Sequence, residues 1–406
     1  MFPRNLGIAL VVCLASLLGV AQDIAPPAPQ RLAVHSNVLN EDRVIWVRMP
    51  EVSRLENNRY SVLYLLDGKE QINEISTIVD FLVSTNRMPP MIVVGIQNND
   101  RDRDLTPTHA DIKDAKGVVE NKIPTSGGGD KFLDFIQTEL IPEIEKRYST
   151  QPFRVFAGHS LGGLMVVHTL ITRPELFNAY IAVSPSLWWD DKHLLRQAEQ
   201  FFASQKELKK TLFLSLGDEP GRQSDAFEEL VKKLKAGAPK GFVWDSARYM
   251  DEDHVSIVLV SHYAGLRKIF TGFQVTRNPE TGLPNGGLAE VEQHYRELSE
   301  RYGFPISAEK AIDNLGYRLL ARQQLEQAVQ AFKRNVELYP DSPQAYNSLA
   351  EAYVNQNRFD LAVQNLRKAV ELATSKGNPR LPEFQTNLDE IVAAVKTSPE
   401  KAGAPK

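Results

Sequence analysis

The stretch Val155–Leu164, VFAGHSLGGL, sets a serine between glycines in the pattern G-x-S-x-G. An apolar run, Arg154–Ala157, precedes it, and a helical pattern begins at Gly163. A chain passing from strand to helix within so few residues must turn a sharp corner where flanking side chains would collide. Glycines on both sides relieve the collision, and the corner lifts the serine hydroxyl clear of the strand end. The spacing therefore predicts strand, corner and helix, and makes Ser160 a candidate nucleophile rather than a small residue in a glycine turn.

Working outward, short continuous apolar runs that end in turns recur: SVLYLLDG (Ser61–Gly68), MIVVGIQN (Met91–Asn98), AYIAVSPS (Ala179–Ser186) and TLFLSLGDE (Thr211–Glu219), and FVWDSARYM (Phe242–Met250) is a further expected strand. Runs apolar on both faces suit parallel strands covered by helices. Between them, Phe132, Phe135, Ile136, Leu140 and Ile144 share one helical face, Leu164, Val167, His168 and Ile171 another, and Ile257–Phe270 is amphipathic. Upstream, RLAVHS (Arg31–Ser36) and RVIWVRMP (Arg43–Pro50) alternate and predict an antiparallel pair. Residues 31–273 thus read as an α/β domain with a mostly parallel sheet.

Residues 274–287, QVTRNPETGLPNGG, have no periodicity and read as a linker. From 288 to 397 the pattern is purely helical and repeats. The segment from Asn314 aligns with that from Ser348, 34 residues on, pairing Leu315 with Leu349, Gly316 with Ala350, Ala328 with Ala362 and Phe332 with Leu366. This period resembles the tetratricopeptide repeat, with units at about 312–345 and 346–379. Two units need further burial, expected from helices at Leu288–Arg301 and Phe384–Val395. Such repeats are candidate docking elements for a protein or peptide partner.

Of the 406 residues, 42% are hydrophobic and 24% charged, and 47 basic against 51 acidic residues give a net charge of -4. With no basic block, nucleic acid is not an expected partner. Residues 1–21 carry Arg4, an apolar run Leu6–Leu18 and small residues before Ala21, the layout of a cleaved export signal. Cys13, the single cysteine, falls inside it, so the mature chain needs no disulfide. A secreted or periplasmic protein without stable membrane insertion is expected, with a flexible start at 22–30 and a disordered tail at 398–406.

A serine hydroxyl becomes nucleophilic when a base takes its proton, and in a strand–corner–helix architecture the base follows the last strand. Of eight histidines, His35 and His109 precede the serine, His159 and His168 share its turn and helix, and His193 follows too closely. His262 falls mid-helix and His294 beyond the linker, which leaves His254 in MDEDHVSI. The acid that orients it should follow the strand ending at Leu216, where Asp218 and the alternative Glu219 stand side by side. Oxyanion donors are expected from the Leu161 amide and from the loop after VLYLLDG, at the Lys69 amide. Trp188 and Trp189 are candidates for holding an acyl or aryl group, or for packing the helix beneath. Arg103, in a long polar segment that suggests a lid, is a candidate for an anionic substrate group or for pairing with Asp104. No metal-binding spacing and no cofactor motif is present.

LYLLDG, RDRDLTPTH (Arg101–His109), FAGHSLGGL, SPSLWWDD (Ser184–Asp191) and EDHVSI together resemble, in order and spacing, the esterase D and enterobactin-esterase-like family, here with C-terminal tetratricopeptide repeats. The resemblance implies an α/β-hydrolase fold and a secreted serine carboxylic-ester hydrolase without cofactor. It puts the nucleophile on Ser160, the base on His254 and the oxyanion loop on Gly68–Lys69, with siderophore lactones, acylated sugars or simple acyl esters as substrates. GDEPG departs from the family's more usual glutamate arrangement, leaving the acid open between Asp218 and Glu219. Two other readings compete: an acyltransferase using the same residues, and a repeat-mediated interaction module on a hydrolase-fold scaffold.

Overall fold

The computed structural model describes residues 28–50, 59–113 and 117–397; the expected export signal, Cys13, most of the 22–30 lead-in and the tail from 398 lie outside them. Eight strands form one sheet in the order β1-β2-β4-β3-β7-β8-β9-β10. These are β1 (Gln30–Ser36), β2 (Glu41–Arg48), β3 (Tyr60–Leu65), β4 (Met91–Ile96), β7 (Thr150–His159), β8 (Ala179–Val183), β9 (Thr211–Leu216) and β10 (Val243–Arg248). β1 pairs with β2 and β2 with β4 antiparallel; every pairing from β4 through β3 to β10 is parallel.

The helices of this half are α1 (Gly68–Ser84), α2 (Arg101–Asp104), α3 (Gly129–Phe135), α4 (Ile141–Arg147), α5 (Leu161–Thr172), α6 (Trp189–Ser204), α7 (Arg222–Gly237) and α8 (Ile257–Ile269). A single π turn, Ile136–Leu140, joins α3 to α4. Because successive side chains of a strand point to opposite faces, each central strand feeds two cores. Val62, Tyr64, Phe156, Tyr180 and Ala182 enter the layer under α5 and α6, while Leu63, Leu65, Val155, Ala157, Ile181 and Val183 enter the layer under α1 and α8. This two-sided burial is why the strands read as unbroken apolar runs.

The polar segment after β4 is more ordered than a free lid. It contains α2 and a hairpin of β5 (Ile112–Lys113) and β6 (Val119–Asn121), which the sequence did not signal. Trp189 Nε1 reaches Thr108 O at 3.2 Å, and Gly127 N donates to Thr106 Oγ1 at 2.7 Å, so both ends of the segment are held.

The C-terminal helices are α9 (Gly287–Tyr302), α10 (Glu309–Ala321), α11 (Leu325–Leu338), α12 (Pro343–Asn355), α13 (Phe359–Ser375) and α14 (Leu381–Thr397). They do not hang on a free linker. Phe153 at the base of β7 meets Tyr302 and Phe304 at ring distances of 5.4 and 6.0 Å. Asn86 donates to Tyr295 Oη at 3.0 Å, Tyr302 Oη to Ile269 O at 3.1 Å, and Gln274, inside the expected linker, to Thr85 O at 2.8 Å. One apolar core runs from β3 and β7 through α8 into the repeats. Among the described residues no helix is long and apolar enough to cross a membrane.

Candidate active site

At the carboxyl ends of the parallel strands the corner expected at Ser160 is present. Ser160 has φ 61° and ψ -116°, a conformation that costs a residue with a side chain of the order of 1–3 kcal/mol and persists only where its surroundings hold it. Ser160 N donates to Val183 O at 2.9 Å and Ser160 O accepts from Ser186 N at 3.1 Å, which pins the corner to the end of β8. A Cβ on Gly158 would lie 2.7 Å from the Gly162 carbonyl carbon, so the corner closes only around glycine.

The Ser160 hydroxyl lies 3.0 Å from His254 Nε2 and 3.4 Å from Ser186 Oγ. His254 stands on the turn before α8, held from behind by Asp253, whose Oδ1 accepts from Val255 N (2.8 Å) and Ser256 N (2.7 Å). The other ring nitrogen, Nδ1, pairs with Glu219 Oε2. Donation from Nδ1 to this carboxylate leaves the Nε2 lone pair facing the hydroxyl, the tautomer a general base requires.

Glu219, not Asp218, is therefore the carboxylate that meets His254. Asp218 is exposed, and its backbone N–H donates to Glu252 O at 2.8 Å, stitching the loop after β9 to the loop after β10. That stitch carries the next residue inward, where Glu219 Oε1 also accepts from Ser184 Oγ at 2.6 Å and Gly217 N at 3.3 Å. Burial opposes the charge on Glu219, but the hydrogen bonds from His254 and Ser184 outweigh it and hold the carboxyl below the ordinary glutamate range. His159 lies beside His254 at a ring distance of 4.6 Å; burial, then the neighbouring imidazole, pushes it down to about 4, so it is neutral at pH 7.

Leu161 opens α5 and Lys69 is the second residue of α1, so both amides belong to first helical turns, which lack an acceptor one turn back. The two turns are neighbours, since a Cβ on Gly162 would lie 3.4 Å from both Leu66 Cβ and Asp67 Oδ2.

Trp188 and Trp189 differ in burial. Trp189 is 3% exposed and serves packing, a correction to its candidacy as a substrate contact. Trp188 is half-buried, tied by Nε1 to Gln223 Oε1 at 2.6 Å, with the Arg222 guanidinium 4.0 Å from its ring centroid. Gln223 Nε2 in turn donates to Ser184 O at 2.8 Å, which links this ring to the loop that supports Glu219. Arg103 is also corrected: its guanidinium pairs with Glu41 (2.7 Å) and Asp104 (2.8 Å), and Asp104 pairs again with fully buried Arg43 at 2.7 Å. Among the described residues no three His, Cys, Asp or Glu side chains gather as metal ligands.

Comparison with known proteins places this geometry in context. The family model described as Putative esterase matches residues 36–232, and tetratricopeptide-repeat models match 316–357 and 343–376. The ferri-bacillibactin esterase of Bacillus subtilis is 31% identical over 50% of this chain and 76% of its own length. The siderophore triacetylfusarinine C esterase of Aspergillus fumigatus is 31% identical over 36% of this chain and 59% of its own. The crystal structure of an IroE-like serine hydrolase from Shewanella oneidensis superposes with a TM-score of 0.67 at 30% identity, covering 76% of this chain and 99% of that one.

Proposed function

The chain belongs to that esterase family, and on this premise we propose that it is an exported serine hydrolase that cleaves carboxylic esters of siderophores through an acyl-enzyme on Ser160. The observation that carries the reading is the continuous chain Ser160 Oγ–His254 Nε2, His254 Nδ1–Glu219 Oε2. In it, Ser160 Oγ attacks the ester carbonyl as its proton passes to His254 Nε2, and Glu219 stabilises the imidazolium that forms. The tetrahedral oxyanion takes hydrogen bonds from the Leu161 and Lys69 amides. Collapse breaks the ester C–O bond, and the proton on His254 goes to the departing alkoxide. Water, deprotonated by the same imidazole, then attacks the acyl carbonyl and restores Ser160, releasing the acid.

Siderophore esters are the substrate class because the ferri-bacillibactin and triacetylfusarinine C esterases act on them, and Trp188 offers a half-buried aromatic face near the loop that supports Glu219. Export rests on the signal-like residues 1–21, and a protein or peptide partner on the match to tetratricopeptide repeats. The test is hydrolysis by the full chain of p-nitrophenyl acetate and of a siderophore trilactone. Ser160→Ala should remove turnover of both by several orders of magnitude while the melting temperature is unchanged. Retention of trilactone cleavage in that variant would reject the reading, and cleavage of the simple ester alone would reject the substrate class.

A further inference from the structure

The first helix of each repeat contributes the same positions to one polar face. Asp313 and Tyr317 of α10 recur, 34 residues on, as Asn347 and Glu351 of α12. Tyr317 Oη lies 3.1 Å from Ser348 Oγ, Gln344 Nε2 donates to Ser348 Oγ at 2.9 Å, and Asn347 Nδ2 donates to Glu351 Oε1 at 2.8 Å. α14 joins this face through Asn387 Nδ2, which donates to Asn347 Oδ1 at 2.9 Å. Asn347 and Ser348 are buried, whereas Asp313, Tyr317 and Glu351 keep part of their surface in solvent. The face is short of cations. Asp313 has Ser348, Gln344, the like charge of Glu309 and the guanidinium of Arg380 around it, and among the described residues its Oδ1 accepts no hydrogen bond. Arg380 is already held: Nε and Nη2 donate to Glu383 at 2.8 and 2.6 Å, and Nη1 donates to Gln344 Oε1. Glu351 faces Tyr317, Asn347 and the like charges of Asp313 and Glu383. Burial, above all, holds both carboxyls above their ordinary range.

Resting on the reading of the repeats as a docking element, we infer that this face binds an extended segment of a protein partner through a lysine or arginine side chain seated on Asp313 and Glu351. A carboxyl drawn out of water and supplied mainly with neutral donors resists ionisation, and a cation brought by a ligand offsets the desolvation. The hydrogen bonds that tie α10, α12 and α14 together fix the surroundings of both carboxyls before the ligand arrives, so little ordering is lost on binding. A neutral segment gains nothing from them, and an acidic one meets like charge. The site is thereby selective for basic segments.

The test is fluorescence anisotropy of labelled octapeptides titrated with the full chain at about 0.15 M salt: one of alternating lysine and arginine, one of glutamate and one of glutamine. The basic peptide should bind at least about tenfold more tightly than the other two. Asp313→Asn and Glu351→Gln should each weaken it about tenfold, whereas Glu326→Gln, which removes the same charge from an exposed site on α11, should leave it within about twofold. Hydrolysis of p-nitrophenyl acetate should be unchanged in all three variants, which separates lost binding from lost fold. Calorimetry on the wild-type chain at about pH 6.5, in two buffers of different ionisation heat, needs no variant: the bound cation lowers both carboxyls, so protons should be released. Binding without proton release, or binding that Asp313→Asn and Glu351→Gln leave intact, overturns the inference. Equal or tighter binding of the glutamate or glutamine peptide also overturns it but leaves the repeats as a docking element, and no binding of any of the three overturns both.

Discussion

Asp218 and Glu219 are neighbours of like charge, and what separates them is direction: one backbone N–H of Asp218 is held by Glu252 O, which sends the following side chain inward to His254. Glu219→Gln should therefore lower kcat by about 10³, because an amide no longer enforces the Nδ1–H tautomer, whereas Asp218→Asn should stay within about twofold. Steady-state rates on p-nitrophenyl acetate decide it, and a reversed order would return the acid to Asp218. The hydrogen-bonded pair Ser160–His254 was legible because chain order, helix position and the linker together set the other histidines aside. The acid was not, since adjacent carboxylates carry no sequence signal for which one faces in. Nor was the ion pair of Arg101 with Asp67 legible, because a contact between segments far apart in the chain needs the fold. The tryptophan pair was half legible: two apolar neighbours on a chain must point differently, and only burial tells which is which.

At the scale of elements, β3, β4, β7, β8 and β9 lie where continuous apolar runs place them, since strands covered on both faces leave little room for polar positions. Two pieces escaped. In the β5–β6 hairpin β6 is exposed along its length, so it lacks the alternation that burial of one face imposes. Three consecutive left-handed residues after the tryptophans, Asp190, Asp191 and Lys192, were invisible because none is a glycine. The repeats were plain from their small residues, and the structure shows why: a Cβ on Gly316 would lie 2.4 Å from Phe332 Cζ, where α10 crosses α11. Gly316→Ala should destabilise the protein by about 1–3 kcal/mol through overpacking, read in urea unfolding monitored by circular dichroism. An unchanged midpoint would mean that the helices part without cost.

For the molecule as a whole, the repeats and the hydrolase share one core, where the sequence suggested two units on a linker. Ending the chain at residue 273 strips Tyr302 from Phe153 and Phe270 and Tyr295 from Phe273, so this fragment should aggregate or melt well below the full chain in a thermal scan; a soluble fragment of equal stability would contradict the shared core. Acidity acts through the same body. Burial, above all, pushes Asp313 up to about 6 and Glu351 up to about 7. Both folded values exceed the unfolded ones, so this stabilisation is complete below the ordinary carboxylate range and is lost as pH rises through about 6 to 7. The melting temperature should fall from pH 5 to pH 8, and Glu351→Gln should flatten that fall; an unaltered slope would count against it. The central claim, that this shared scaffold carries a serine made nucleophilic by His254, is tested most directly by intact-protein mass spectrometry after exposure to a fluorophosphonate. One adduct should form, map to Ser160, disappear in Ser160→Ala and form far more slowly in His254→Ala. An active wild-type protein that takes up no label, or takes it up at another serine, would contradict the account.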